Sequence, residues 1–125
     1  MPPKPSATLT EAELRLMKIL WKRGESSVND LVAALSGKQA LAYTSILTTI
    51  KILEDKGYVS HRKEGRAFLY TPLVEEEEAN SSAVRHILQR FFNNSREQLL
   101  VSVLGDGEIS PEELKRLKQR IAEAE

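Results

Sequence analysis

Cysteine is absent from all 125 residues, which excludes disulfides and every zinc or iron–sulfur site held by thiolates. Histidine is nearly absent: there are only His61 and His86, with no convincing third partner for a metal or a proton-transfer set. The six glycines form no phosphate-cradling loop and no nucleophile motif is present, so neither an enzyme nor a bound cofactor is expected. No apolar stretch approaches the roughly 20 residues that span a bilayer. The opening MPPKPSATLT has no apolar run of the signal-peptide kind. The expectation is a cytoplasmic protein without membrane insertion.

What is present suits one domain with an appendage. A hydrophobic fraction of 41% argues for a packed, helix-rich core. The zero net charge conceals a division. Residues 1–73 hold 11 Lys+Arg against 7 Asp+Glu, or +4, and residues 74–125 hold 7 against 11, or −4. A basic first part and an acidic second part suit different partners.

Three of the five prolines, Pro2, Pro3 and Pro5, make residues 1–7 an expected flexible tail. Thr10 with Glu13 is the reciprocal capping-box spacing for a first helix, whose apolar face is Leu14, Met17, Leu20 and Trp21, up to Gly24. Ser27 with Asp30 repeats the signal for a shorter helix that Ser36-Gly37 should end. A third helix is expected from about Ala42 to Lys56, with Tyr43, Ile46, Ile50 and Leu53 on one face and Gly57 as the stop. Tyr58 to Arg62 and Ala67 to Thr71 then read as two strands joined by Lys63-Glu64-Gly65-Arg66, with Phe68 and Tyr70 able to cover the helices and Pro72 ending the pairing.

A helix with an uncharged polar face, followed at once by a basic hairpin, is how a winged helix-turn-helix meets duplex DNA. The outward residues expected to reach base edges are Tyr43, Thr44, Ser45, Thr48 and Lys51. On the wing, His61, Arg62, Lys63 and Arg66 would lie beside the phosphate backbone and fix register by charge. Hairpin tips are usually polar, so Arg62, Lys63 and Arg66 alone would also fit a solvated turn.

After Pro72 only helices are expected. Glu75 to Glu78 form an acidic first turn, Val84, Ile87, Leu88 and Phe91 a stripe running to Phe92, and Asn93-Asn94 a turn. Ser95 with Gln98 should cap a helix bearing Leu99, Leu100, Val103 and Leu104 and ending at Gly105. Ser110, Pro111 and Glu113 start the last helix, with Ile109 and Leu114 as its staple and Leu117 and Ile121 continuing the face. Some 50 residues with thin stripes bury little by themselves. The candidate dimer contacts are Ile87, Phe91, Phe92, Leu99, Leu100, Val103, Leu104, Leu114 and Leu117. They pair with a second copy, or else the helices fold back on the first domain.

The segments LTEAELRLMKILWK, YTSILTTIKILEDKGYV, KEGRAFLYTP and ISPEELKRL resemble the penicillinase-repressor (BlaI/MecI) family, to which the CopY-type copper repressors are related. The resemblance covers nearly everything after Ala7. It implies a mainly α fold with a small β-hairpin: a winged-helix DNA-binding domain over 8–73 and a three-helix dimerisation region over 74–125. It also implies a homodimeric bacterial repressor of an inverted-repeat operator, controlling genes of antibiotic resistance or stress. By the same resemblance the recognition role would fall on Tyr43, Thr44, Ser45 and Thr48, and the wing role on Lys63 and Arg66. Ile52 stands where many relatives carry arginine. Some members are inactivated by cleavage at an Asn-Phe bond through a membrane sensor-protease pathway. That bond corresponds to Ser102-Val103, where neither side chain is retained, which counts against induction by cleavage. The cysteine-rich end of the copper branch is absent, so copper sensing is not expected. A rival reading from another class is a winged helix whose basic wing contacts an acidic protein.

Overall fold

The computed structural model describes residues 8–35 and 42–124. The expected tail at 1–7 and the expected helix end at Ser36-Gly37 lie outside them. The elements are α1 (Glu11–Arg23), β1 (Ser26–Ser27), α2 (Val28–Ala34), α3 (Tyr43–Asp55), β2 (Val59–Glu64), β3 (Ala67–Pro72), α4 (Glu76–Phe91), α5 (Arg96–Gly105) and α6 (Pro111–Ala124).

Local chemistry explains the helix ends. Both expected capping boxes form: Thr10 Oγ1 accepts from the Glu13 amide and Glu13 Oε1 from the Thr10 amide, and Ser27 and Asp30 repeat the exchange. α3 stops at Gly57, whose φ of +88° lies in the left-handed region that favours glycine.

Three helices and the sheet enclose the core. Leu16, Met17 and Leu20 of α1, Val28 and Leu31 of α2, and Ile46, Ile50 and Leu53 of α3 are buried together with Tyr58, Val59, Tyr70, Val74 and Ala79. Each large apolar side chain so buried contributes about 1.5–3 kcal/mol before entropy is counted. The buried stripe of α1 is turned from the expected one. Leu16 is fully buried, whereas Leu14 and Trp21 lie half-buried on its flank. Trp21 is held there because its Nε1 donates to the Val74 carbonyl at 2.7 Å. Buried Glu13 shares the inner face, with Oε1 2.7 Å from Lys56 Nζ at the end of α3.

The sheet has three antiparallel strands in the order β1-β3-β2, not two. Ser26 pairs with Tyr70 and Ser27 with Leu69. The wing hairpin is also longer than expected. Lys63 faces Phe68 and Glu64 faces Ala67, leaving a two-residue turn at Gly65-Arg66. Glycine first, at φ +62°, is the residue order of a type II′ hairpin turn, which matches strand twist and lets pairing run to the tip. β3 runs through Pro72, which pairs with Val59, and the Leu73 amide still donates to the Tyr58 carbonyl at 2.8 Å. The proline thus does not end the pairing as expected: it lacks a donor itself but leaves the next amide free to bond. Tyr70 covers the helices, but Phe68 remains 46% exposed.

The chain divides into two compact units between Val84 and Arg85, within α4. In the second unit, α4 ends through Asn93 and Asn94, both with positive φ, and the Asn94 amide returns to the Leu88 carbonyl at 2.8 Å. Of the expected Ser95–Gln98 box, the Ser95 hydroxyl accepting from the Gln98 amide is formed. Ser110 caps α6 by accepting from the Glu113 amide at 3.1 Å. No residue of α5 or α6 is buried. No helix among the described residues is long and apolar enough to cross a membrane.

Candidate nucleic-acid interface

The inner face of α3 is fixed by Ile46, Ile50 and Leu53, with Leu47 packed half-buried beside them, so the positions opposite that face turn outward. Thr44, Ser45, Thr48 and Lys51 are exposed, and Tyr43, placed on the apolar face by spacing, is 49% exposed at the helix start. The Thr48 hydroxyl donates to the Thr44 carbonyl at 2.9 Å. Its donor is thus engaged by the helix, and what it offers outward is a methyl group and oxygen lone pairs.

A hollow of about 620 Å³ opens between α3, the start of α2 and the wing. Of the residues singled out from sequence, Tyr43, Lys51, His61 and Arg66 border it; Thr44, Ser45, Thr48, Arg62 and Lys63 do not. Leu47, Glu54, Phe68 and Tyr70 complete much of its wall. Leu47 and Phe68 carried a helical or strand signal but nothing that marked them as part of a site.

The four wing residues differ in their surroundings. His61 Nδ1 lies 2.5 Å from Glu54 Oε2 of α3, and its ring meets Phe68 edge-on at 5.1 Å and tilts against Tyr70 at 5.5 Å. Arg62 grips Glu25 with two bonds, Nε to Oε2 at 3.0 Å and Nη2 to Oε1 at 2.8 Å, and lies 2.9 Å from Glu64. The Arg62 guanidinium and then the Thr71 hydroxyl hold the Glu25 carboxyl below the usual carboxylate range. Lys63 and Arg66, at the tip, have no carboxylate partner among the described residues, and neither has Lys51.

Of the dimer candidates, Ile87, Phe91, Leu100, Val103, Leu104 and Leu117 are exposed, Phe91 to 70%, while Phe92, Leu99 and Leu114 are half-buried. Val101 and Ile121 are also exposed; Val101 falls off the stripe that spacing gives for α5, so no periodic signal marks it. Ser102 and Val103 are exposed within α5.

A helix-turn-helix whose second helix leaves a hydroxyl-rich face uncovered, followed by a sheet with a projecting hairpin, defines a winged helix-turn-helix protein. The chain belongs to the penicillinase repressor family, whose sequence model matches residues 9–123. It is 31% identical over 115 residues to the penicillinase repressor of Bacillus licheniformis, covering 92% of this chain and 90% of that protein. To the transcriptional regulator BlaI of Mycobacterium tuberculosis it is 29% identical over 119 residues, 94% of this chain and 85% of that one. The solution structure of the DNA binding domain of the repressor BlaI matches with a TM-score of 0.54 and 34% identity, covering 61% of this chain and 93% of that domain.

Proposed function

We propose that this protein is a cytoplasmic transcriptional repressor that occupies an inverted-repeat DNA operator as a homodimer and excludes the transcription machinery from the promoter. The observation that carries the reading is the uncovered hydroxyl face of α3 beside a hollow bordered by Lys51 and Arg66, two cations without carboxylate partners among the described residues. In the major groove, Tyr43, Thr44, Ser45, Thr48 and Lys51 meet base edges and thymine methyls, while Lys63 and Arg66 meet phosphates. Hydroxyls discriminate bases weakly, so one half-site holds loosely. The uncovered apolar side chains of α4 to α6 supply the second copy that doubles the contact. Induction by cleavage at Ser102-Val103 is not part of the proposal, because neither residue of the Asn-Phe bond is present.

Fluorescence anisotropy with a labelled duplex from the promoter of its own gene tests the reading. Binding much tighter than to a scrambled duplex at moderate salt is expected. Equal affinity for both would leave the protein-interaction reading in its place. Arg66→Ala should weaken every duplex alike and reduce the slope of log affinity against log salt by about 0.9. Thr48→Ala should instead change the ranking of duplexes, by about 1 kcal/mol at the base pair it faces, with the salt slope unaltered. Identical profiles for the two variants would contradict these roles.

A further inference from the structure

We infer that Arg62 is a positioning residue that sets the wing through Glu25, and does not itself hold a DNA phosphate. Glu25 lies in the loop between α1 and β1, one residue before the pairing of Ser26 with Tyr70. Its carboxylate reaches across the whole sheet. Oε2 accepts from the Thr71 hydroxyl of the central strand at 2.9 Å and from Arg62 Nε of the outer strand at 3.0 Å, and Oε1 accepts from Arg62 Nη2 at 2.8 Å. One carboxylate therefore ties the segment entering β1 to both strands of the wing.

The guanidinium is planar and its donors point in a fixed fork. Here the Nε–Nη2 edge is filled by Glu25, and Nη2 also lies 2.9 Å from Glu64 Oε2. A phosphate at that edge would have to displace a carboxylate already bound in the geometry a phosphate would use. β2 is thus braced from both faces, since the neighbouring His61 turns the other way onto Glu54 of α3. β1 is only two residues long, so its own ladder bonds do little to orient the hairpin. Lys63 follows Arg62 directly and Arg66 sits in the turn; any change in hairpin twist at Arg62 displaces both.

This inference rests on the DNA-binding reading above, and the test separates the two. The probe is the tightest duplex recovered from a random-sequence pool by selection with the wild-type full chain. Arg62→Gln, Arg62→Lys and Glu25→Gln are each expected to weaken it by about fivefold. The Arg62→Gln/Glu25→Gln double variant should be no weaker than either single one, because both remove the same bond. The salt slope should stay at the wild-type value throughout. The sign for Glu25→Gln is decisive: removing a negative charge beside DNA should help binding electrostatically, and here it is expected to hurt. Tighter or unchanged binding by Glu25→Gln would overturn the inference, as would a loss of about 0.9 in salt slope for Arg62→Gln. So would wild-type affinity in Arg62→Lys, which keeps the charge and loses the fork. Failure to recover any preferred duplex would overturn the repressor reading and this inference with it.

Discussion

Replacing Leu100 and Leu104 together by glutamate is expected to abolish self-association and to weaken binding to an inverted-repeat duplex by about 100-fold or more. The two residues stand one turn apart on α5 and are 55% and 48% exposed. Nothing in that helix is buried within the chain, although it reads REQLLVSVLG. A ten-residue helix of that composition is not stable in water on its strength alone, and its apolar surface adds to that of Phe91, Leu117 and Ile121. Such a surface fits a self-complementary contact between two copies. Charges placed on it would be buried without partners in the dimer, a cost no local rearrangement recovers. The loss in DNA affinity follows from linkage: the second half-site is captured at a high effective concentration only while the copies are joined. Affinity for an isolated half-site should stay at the wild-type value, because the substitutions lie outside the unit that ends at Val84. Sedimentation equilibrium and anisotropy titrations on full and half-site duplexes check both parts. A dimer that persists, or a half-site affinity that falls in step, would sink the explanation.

How far the residues announced this structure depends on the range over which each interaction acts. Thr10/Glu13, Ser27/Asp30 and the Gly57 stop were readable because a cap and its partner lie within one helical turn. The same holds for Ser110 with Glu113 and for the turn at Asn93-Asn94. β1 was not readable. Ser26-Ser27 has neither β-branched nor aromatic residues, and it becomes a strand only because β3 offers it an open edge. The α1 stripe was misplaced for a similar reason. Spacing alone allowed Leu14 and Trp21 to face inward, and the choice of Leu16 was made by the neighbours that cover it.

The candidate interface divides along the same line. That Thr44, Ser45, Thr48 and Lys51 turn outward follows from periodicity, and that Lys63 and Arg66 sit near a turn follows from Gly65. The partition of the wing cations does not follow. Arg62 and Glu25 are 37 residues apart and no sequence pattern links them. Yet their bond decides which wing charges remain for a partner. His61 and Glu54, only seven residues apart, are also joined by the fold, since one ends a helix and the other lies in the strand that follows.

The buried bond between Glu13 and Lys56 gives the second large effect. It crosses 43 residues and joins the first turn of α1 to the residue that caps α3. The Glu13 side chain is 5% exposed and that of Lys56 27%, so the carboxylate is the member that cannot recover its hydration. Glu13→Ala removes the ion pair and the reciprocal half of the capping box, and is expected to cost about 3 kcal/mol in urea unfolding at pH 7. Glu13→Gln keeps an acceptor for the Thr10 amide and should cost about 1.5 kcal/mol. Burial by itself raises the Glu13 carboxyl, but the Lys56 ammonium and the Thr10 amide more than offset it and hold the group below its ordinary value. The folded chain thus binds that proton less readily than the unfolded one. The stability so gained is complete above the unfolded carboxyl value of about 4.3 and disappears as the pH falls through the lower folded value. The gap between wild type and Glu13→Gln should therefore be full at pH 7, narrow below about pH 4 and close once Glu13 is protonated in both states. A gap independent of pH would show that the charge contributes nothing. Because Lys56 caps α3, the same acid range should loosen the hold of α3 on α1, and half-site affinity in Glu13→Gln should already be reduced at neutral pH.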